Sequence, residues 1–241
     1  MAATAIEAGS MTDPLLALLH LCDSLFPIGA FAYSDGLEAA ATRRKPETAD
    51  GARALLGEWM DVTLDETIGR LEGPAAWTAW RAFGDENWRV VAALDEELAA
   101  LRPSSSARRS SRAMGRRLLV TWSALHPDPR LKHALTVVGD GRIGPALAIA
   151  FAGACACGGV AQHDAVAAFA YTRLAATVSA AMRLMPIGQT DAHAVLAGAL
   201  ERVSPVVGGI ACRNGPPESF APLMDIACMS QQYLHSRLFR S

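Results

Sequence analysis

Lysine is nearly missing from this chain of 241 residues: Lys45 and Lys132 stand alone, and the other basic residues are arginine. Together with heavy use of alanine, that bias reads as composition and marks no site by itself. Cysteine is sparse and odd in number: Cys22, Cys155, Cys157, Cys212 and Cys228. A scattered odd set in a chain this long excludes a disulfide framework. The first residues, MAATAIEAGSMTDP, carry neither a basic segment nor an apolar core of the secretory kind, so a reducing cytoplasm is the expected location. There is no excess of positive charge. The net charge is −2, which speaks against a general nucleic-acid binder. The motifs that would announce chemistry are absent too. The sequence has no G-x-x-x-x-G-K-[ST], no H-E-x-x-H, no paired C-x-x-C and no G-x-S-x-G.

What is present is apolar residues, 51% of the chain against 19% charged, which is enough for a packed core and excludes wholesale disorder. No alternating run of five or more residues reads as a strand, and no repeat of fixed period occurs. Apolar residues recur instead at helical spacing, as in Leu55, Leu56, Trp59, Met60 and Leu64. The spacing predicts an all-α fold of about ten helices in one domain over 12–241, with residues 1–11 disordered. Asp13–Pro14 opens the first helix, which runs to about Cys22, and a second spans about 34–42. Thr48 starts a third, and Pro74–Phe83 is a separate one. Asp85 caps the next to Leu101, and Ser104 opens a long one to Leu125. A short helix lies within 127–142. The stretch Ile143–Gln162 has no charge, but its glycines and single leucine favour a buried core helix over a membrane span. Helices follow from about His163 to Leu184, from a Thr190–Asp191 cap to before Pro205, and from Pro222 to His235, with 205–222 as a loop.

Candidate metal ligands are few. Cys155 and Cys157 are two apart, so on a helix their thiols face opposite ways, and His20 and Cys22 share that problem. Gly139, Gly141 and Gly144 match G-x-G-x-x-G without a preceding strand. The arginines are more informative. Arg108, Arg112 and Arg116 share one helical face, flanked by Arg109 and Arg117. A solvated face, a docking surface for an acidic partner and, with no interleaved aromatics, a weaker nucleic-acid reading all remain open. The apolar, glycine-bearing SLFPIGAFAY and the tail RLFRS have the residue types of loops that contact partners.

Three ordered blocks complete the reading. They are Leu25–Glu38 (LFPIGAFAYSDGLE), Arg183–Asp191 (RLMPIGQTD), and Pro222–Ala227 (PLMDIA) with Ser236–Ser241 (SRLFRS). Ser111–Arg116 (SRAMGR) is a weaker fourth. With these the chain resembles the family of urease accessory protein F (UreF), and the blocks span 25–241 in order. It departs from the family pattern around Gly139–Pro145 and at Gln231 and His235. The resemblance implies an all-α, non-enzymatic assembly factor that tends to form homodimers. Its implied partners are a UreD/UreH-type protein and a UreG-type GTPase, and through them apo-urease. It implies no tightly bound cofactor, with nickel in transit, and neither nucleic acid nor membrane as a partner. Carried over by position, the implied partner-binding residues are Pro27, Gly29, Phe31, Tyr33, Ser34, Gly36 and Glu38 in the first block. Arg183, Pro186, Gly188 and Gln189 follow in the second, and Arg237, Leu238, Phe239 and Arg240 in the tail. The rival reading is a helical metal-binding protein or enzyme using His and Cys ligands.

Overall fold

A computed structural model describes residues 13–213 and 215–240. The expectation for residues 1–11 lies outside them. The described residues are all-α, with no strand and ten helices when two that join end to end are counted once. In chain order they are α1 (Pro14–Leu21), α2 (Leu37–Arg44), α3 (Ala49–Val62), α4 (Gly73–Gly84), α5 (Trp88–Ala100) and α6 (Ser105–Leu125). Then come α7 (Pro129–Gly139), α8 (Leu147–Cys157), α9 (Gln162–Leu184), α10 (Gln189–Ala211) and α11 (Pro222–Ser230).

Several starts follow local chemistry. The Asp13, Thr48, Ser104 and Asp128 side chains each accept a first-turn backbone N–H. Others correct the sequence expectation. Asn87, not Asp85, caps α5, because Glu86 turns the chain through a positive φ of 54° first. Gly188 precedes α10, and Asp191 inside its first turn pairs instead with Arg53 at 2.7 Å. That helix does not stop before Pro205 but runs on to Ala211, which shortens the expected loop. A proline inside a helix costs roughly 3 kcal/mol. Leu196, Ala199 and Val203 before it and Val207 and Ile210 after it are buried along one face, and their packing outweighs that cost. The last helix ends at Ser230, and a 3-10 turn takes Gln231–Tyr233.

The expected gap between the third helix and Pro74 is filled by a π-helical stretch, Thr63–Glu72, which joins α3 and α4 into one rod. Pro74 has no N–H for the Arg70 carbonyl, and the Glu218 N–H donates to that carbonyl at 2.8 Å instead.

The uncharged α8 is the central helix, buried from Leu147 to Cys155 and packed against α4, α6 and α9. Its approach to α4 is so close that a Cβ on Gly153 would sit 2.6 Å from the Phe83 ring. Two other helices, α9 and α10, are long and apolar enough to cross a membrane by length and composition. Both bear charges paired within the protein, Arg173 with Asp35 and Glu72, and Arg202 with Asp61 and Asp65.

Candidate functional site: a clasp of loop, helix end and tail

The first and third blocks, and Arg183 of the second, meet in space. After α1 the chain turns at Gly29 (φ 81°), makes a short 3-10 turn over Ala30–Ala32 and enters α2 through Gly36 (φ 89°). That entry buries Ser34 and Glu38. The partner is Gln231, only 3% exposed. Its Oε1 accepts from Ser34 Oγ at 3.1 Å and from the Gly36 N–H at 3.0 Å. Its Nε2 donates to Glu38 Oε2 at 3.4 Å and to the Arg240 carbonyl at 3.3 Å. All four hydrogen-bonding positions of the amide are thus used, as a buried amide requires.

Glu38, 4% exposed, holds the tail directly. Its carboxylate accepts from the Leu238 N–H and, at 3.3 Å, from the Phe239 N–H. The Arg240 N–H donates to the Ala32 carbonyl at 2.7 Å. Phe239 is 5% exposed, and the Arg183 guanidinium lies 4.2 Å from its ring centroid. Arg183 also donates to the Phe31 carbonyl at 2.8 Å. It leaves the last turn of α9, where a cation suits the helix dipole. Gly36 permits the closeness: a Cβ there would lie 2.8 Å from the Cys228 nitrogen on α11.

The implied partner-binding residues therefore divide. Ser34, Gly36, Glu38 and Phe239 are buried in the clasp, and Arg183 braces it from the surface. Pro27, Gly29, Phe31, Arg237, Leu238 and Arg240 are exposed around it, and Tyr33 is half-buried. Pro186 and Gly188 lie exposed in the turn between α9 and α10, and Gln189, also exposed, is the first residue of α10. Beside the clasp lies a groove of about 390 Å³, lined by Phe26, Ile28, Phe31, Phe151, Tyr171 and Phe239. Leu19 of α1 also lines it, and Leu15, Leu16 and Leu25 are exposed in the same N-terminal segment. On α11, Leu223, Ile226 and Met229 face outward, with Phe220 and Tyr233 exposed at the two ends.

An ion-pair network next to the clasp escaped sequence analysis. Glu72, 2% exposed, pairs with Arg102 and, at 3.2 Å, with Arg173, which reaches Asp35 at 2.7 Å. Burial alone would raise the Asp35 carboxyl, but the Arg173 and Arg102 guanidiniums outweigh it and hold Asp35 below its ordinary value. Burial, then the neighbouring Arg173, lowers Arg102. Asp35 thereby anchors the first loop to α9. Sequence alone gave no sign of this network, because its members come from four separate segments. Gln231 stood out only as a departure from the family pattern.

The fourth block has an internal role. Ser111 Oγ accepts from the Leu147 N–H at 3.0 Å, and a Cβ on Gly115 would sit 2.1 Å from the Pro145 carbonyl. The buried Asp95 accepts from the Gly144 and Ala146 N–H groups, both at 2.7 Å, with Arg112 at 3.7 Å. These contacts fix the segment that launches α8.

Among the described residues no group of three or more His, Cys, Asp and Glu is placed to hold a metal. Burial pushes the Cys22 thiol up to about 11 and Cys157 and Cys228 up to about 12. Such thiols stay protonated, and the thiolate is the metal-binding form. His20 instead packs edge-on to Phe26, in a cluster with Trp122 and His126.

The architecture is that of an all-α protein that encloses a loop-and-tail clasp and carries uncovered apolar helix faces beside it. The family model described as UreF matches residues 52–200. The urease accessory protein UreF of Azotobacter vinelandii (strain DJ / ATCC BAA-1303) is 31% identical over 230 residues, covering 93% of this chain and 98% of that protein. The proteins of that name from Azoarcus sp. (strain BH72) and Pseudomonas fluorescens (strain Pf0-1) are 30% and 29% identical. Each alignment covers 95% of this chain, and 96% and 100% of the relative respectively. The chain belongs to the UreF family of urease accessory proteins.

Proposed function

We propose that this chain is a non-catalytic cytoplasmic scaffold that bridges a UreD/UreH-type protein and a UreG-type GTPase during GTP-dependent nickel insertion into apo-urease. It acts as a homodimer, and nickel is cargo of the assembly. Family membership supports the urease side of this reading. The observation that carries the scaffold side is the clasp: the blocks that mark the family converge on an internal network that fixes the tail beside uncovered apolar surface. Order before binding strengthens a docking surface, because a loose tail would have to be ordered at the moment of contact. The exposed tail residues Arg237, Leu238 and Arg240, the Phe31 loop and the Arg183–Gln189 turn are the surfaces offered to the accessory proteins.

Reconstituted activation of apo-urease with nickel, GTP and the two partner proteins tests the proposal. Activation should depend on this chain in stoichiometric amount, and the chain alone should not hydrolyse GTP. Full activation without it, or GTP turnover by the isolated chain, would overturn the reading.

A further inference from the structure

The outer face of α6 touches the rest of the protein only at its margins, where Arg112 lies over Gly144 and Arg117 near Gly29. Between Ser105 and Leu125 the helix carries five arginines and no acidic residue, although the whole chain has a net charge of −2. Met114, Leu118, Leu119 and Trp122 point inward. Arg109, Arg112, Arg116 and Arg117 are exposed, as are Ala113, Val120 and Ala124. At 3.6 residues per turn, Ala113, Val120 and Ala124 (i, i+7, i+11) form one lane. Arg109, Arg112 and Arg116 border it on one side and Arg117 on the other. The lane from Arg109 to Ala124 is about 22 Å long.

Little inside the protein neutralises this face. Among the described residues Arg109 reaches Ser105 Oγ, at 3.3 Å, and no carboxylate. Arg112 is 3.7 Å from Asp95, whose carboxylate already serves two backbone N–H groups. Arg116 and Arg117 have no ion pair among the described residues. Like charges at i, i+3 and i, i+4 weaken a helix, and Arg109 stands towards the positive end of the helix dipole. A face arranged only for stability would intersperse acids.

We infer that this face is a docking surface for an acidic, amphipathic helical segment of a partner protein. The partner's apolar ridge lies over the small side chains of Ala113, Val120 and Ala124. Its carboxylates meet Arg109, Arg112 and Arg116 on one flank and Arg117 on the other, in the bidentate geometry that arginine favours. A nucleic-acid strand fits less well, because no aromatic side chain stands among the arginines to stack on bases. The inference does not depend on the scaffold reading, and of its arginines only Arg117 comes near the clasp loop, at Gly29.

The test uses the purified full chain and a fluorescent synthetic helix as long as α6, with leucines along one stripe and glutamates on both flanks. Anisotropy should show binding that weakens as salt rises. Each exposed pair contributes up to about fivefold in affinity, and charge reversal replaces attraction by repulsion, so the double variant R109E/R116E should bind about tenfold more weakly. Its thermal midpoint should match or exceed that of the unaltered chain, since the reversal relieves repulsion. R109K/R116K, which keeps the charge but not the bidentate fork, should bind between the unaltered chain and R109E/R116E. Four results would overturn the inference: no binding at low salt, equal binding of a control helix with glutamine for glutamate, tighter binding of a duplex DNA than of the acidic helix, or a lowered midpoint in R109E/R116E.

Discussion

The guanidinium of Arg183 lies 4.2 Å from the ring centroid of Phe239, so the end of α9 and the C-terminal tail hold each other. The same arginine donates to the Phe31 carbonyl. One side chain thus ties together the loop after α1, the end of α9 and the tail. Phe239→Ala removes a buried ring and its cation–π partner, and should destabilise by about 3 kcal/mol. For a chain of this size that is a fall of roughly 6–12 °C in the melting midpoint. Limited proteolysis should then cleave the tail first. An unchanged midpoint would show that the tail adds nothing to the fold.

Glu38→Gln keeps the size of the side chain and reverses its chemistry. The carboxylate accepts from the Leu238 and Phe239 N–H groups and from Gln231, whereas an amide cannot accept on every side. Leaving one buried donor unmatched costs about 1–3 kcal/mol. Chemical denaturation of the two proteins measures it. Gln231→Glu should act in the same direction, because it sets a second carboxylate beside Glu38.

Two glycines in the left-handed region should respond unequally to alanine. At Gly29 a Cβ meets nothing closer than 3.9 Å, the tip of Arg117, so Gly29→Ala should cost only the backbone strain, about 1–2 kcal/mol. At Gly36 the same strain is joined by a 2.8 Å clash with the Cys228 backbone, which displaces α11. Gly36→Ala should therefore be the more damaging in a thermal melt, and equal effects would contradict the described contact between α2 and α11.

The fold was far more legible than the clasp. Helical spacing and capping residues give most helices, since Asp13, Thr48 and Ser104 act on their own first turns. Two misreadings fall where tertiary packing overrides a local signal. Pro205 reads as a stop, yet buried residues on both sides carry α10 through it. Pro74 reads as a fresh start, yet a π-helical stretch and the Glu218 N–H accommodate it inside one rod. In the site, family resemblance found Glu38, Arg183 and Phe239 but not what joins them. Gln231 lies 193 positions from Glu38 and 195 from Gly36, and no periodicity reports contacts at that separation. Glu72 and Arg173 are hidden for the same reason.

Acid should loosen the network beside the clasp. The Asp35 carboxyl titrates below its ordinary 3.8 in the folded protein, because the arginines outweigh burial. A depressed carboxyl stabilises the fold above its unfolded value, and that stability is lost as pH falls through the folded value. Asp35→Asn should accordingly cost about 2 kcal/mol at neutral pH, between the roughly 1 kcal/mol of an exposed pair and the roughly 3–5 kcal/mol of a fully buried one. The difference from the unaltered chain should vanish once pH is well below the ordinary carboxylate range. Denaturation series at both pH values check it, and a constant difference would rule out the ion pair as its source.

The scaffold account is tested most directly by light scattering on a size-exclusion column, with this chain mixed with UreD-type and UreG-type proteins. The account predicts one peak containing all three. Leu238→Glu, which alters an exposed tail residue, should dissolve that peak while the variant keeps its own melting midpoint. Separate peaks with the unaltered chain, or a three-protein peak indifferent to Leu238→Glu and Phe239→Ala alike, would contradict it.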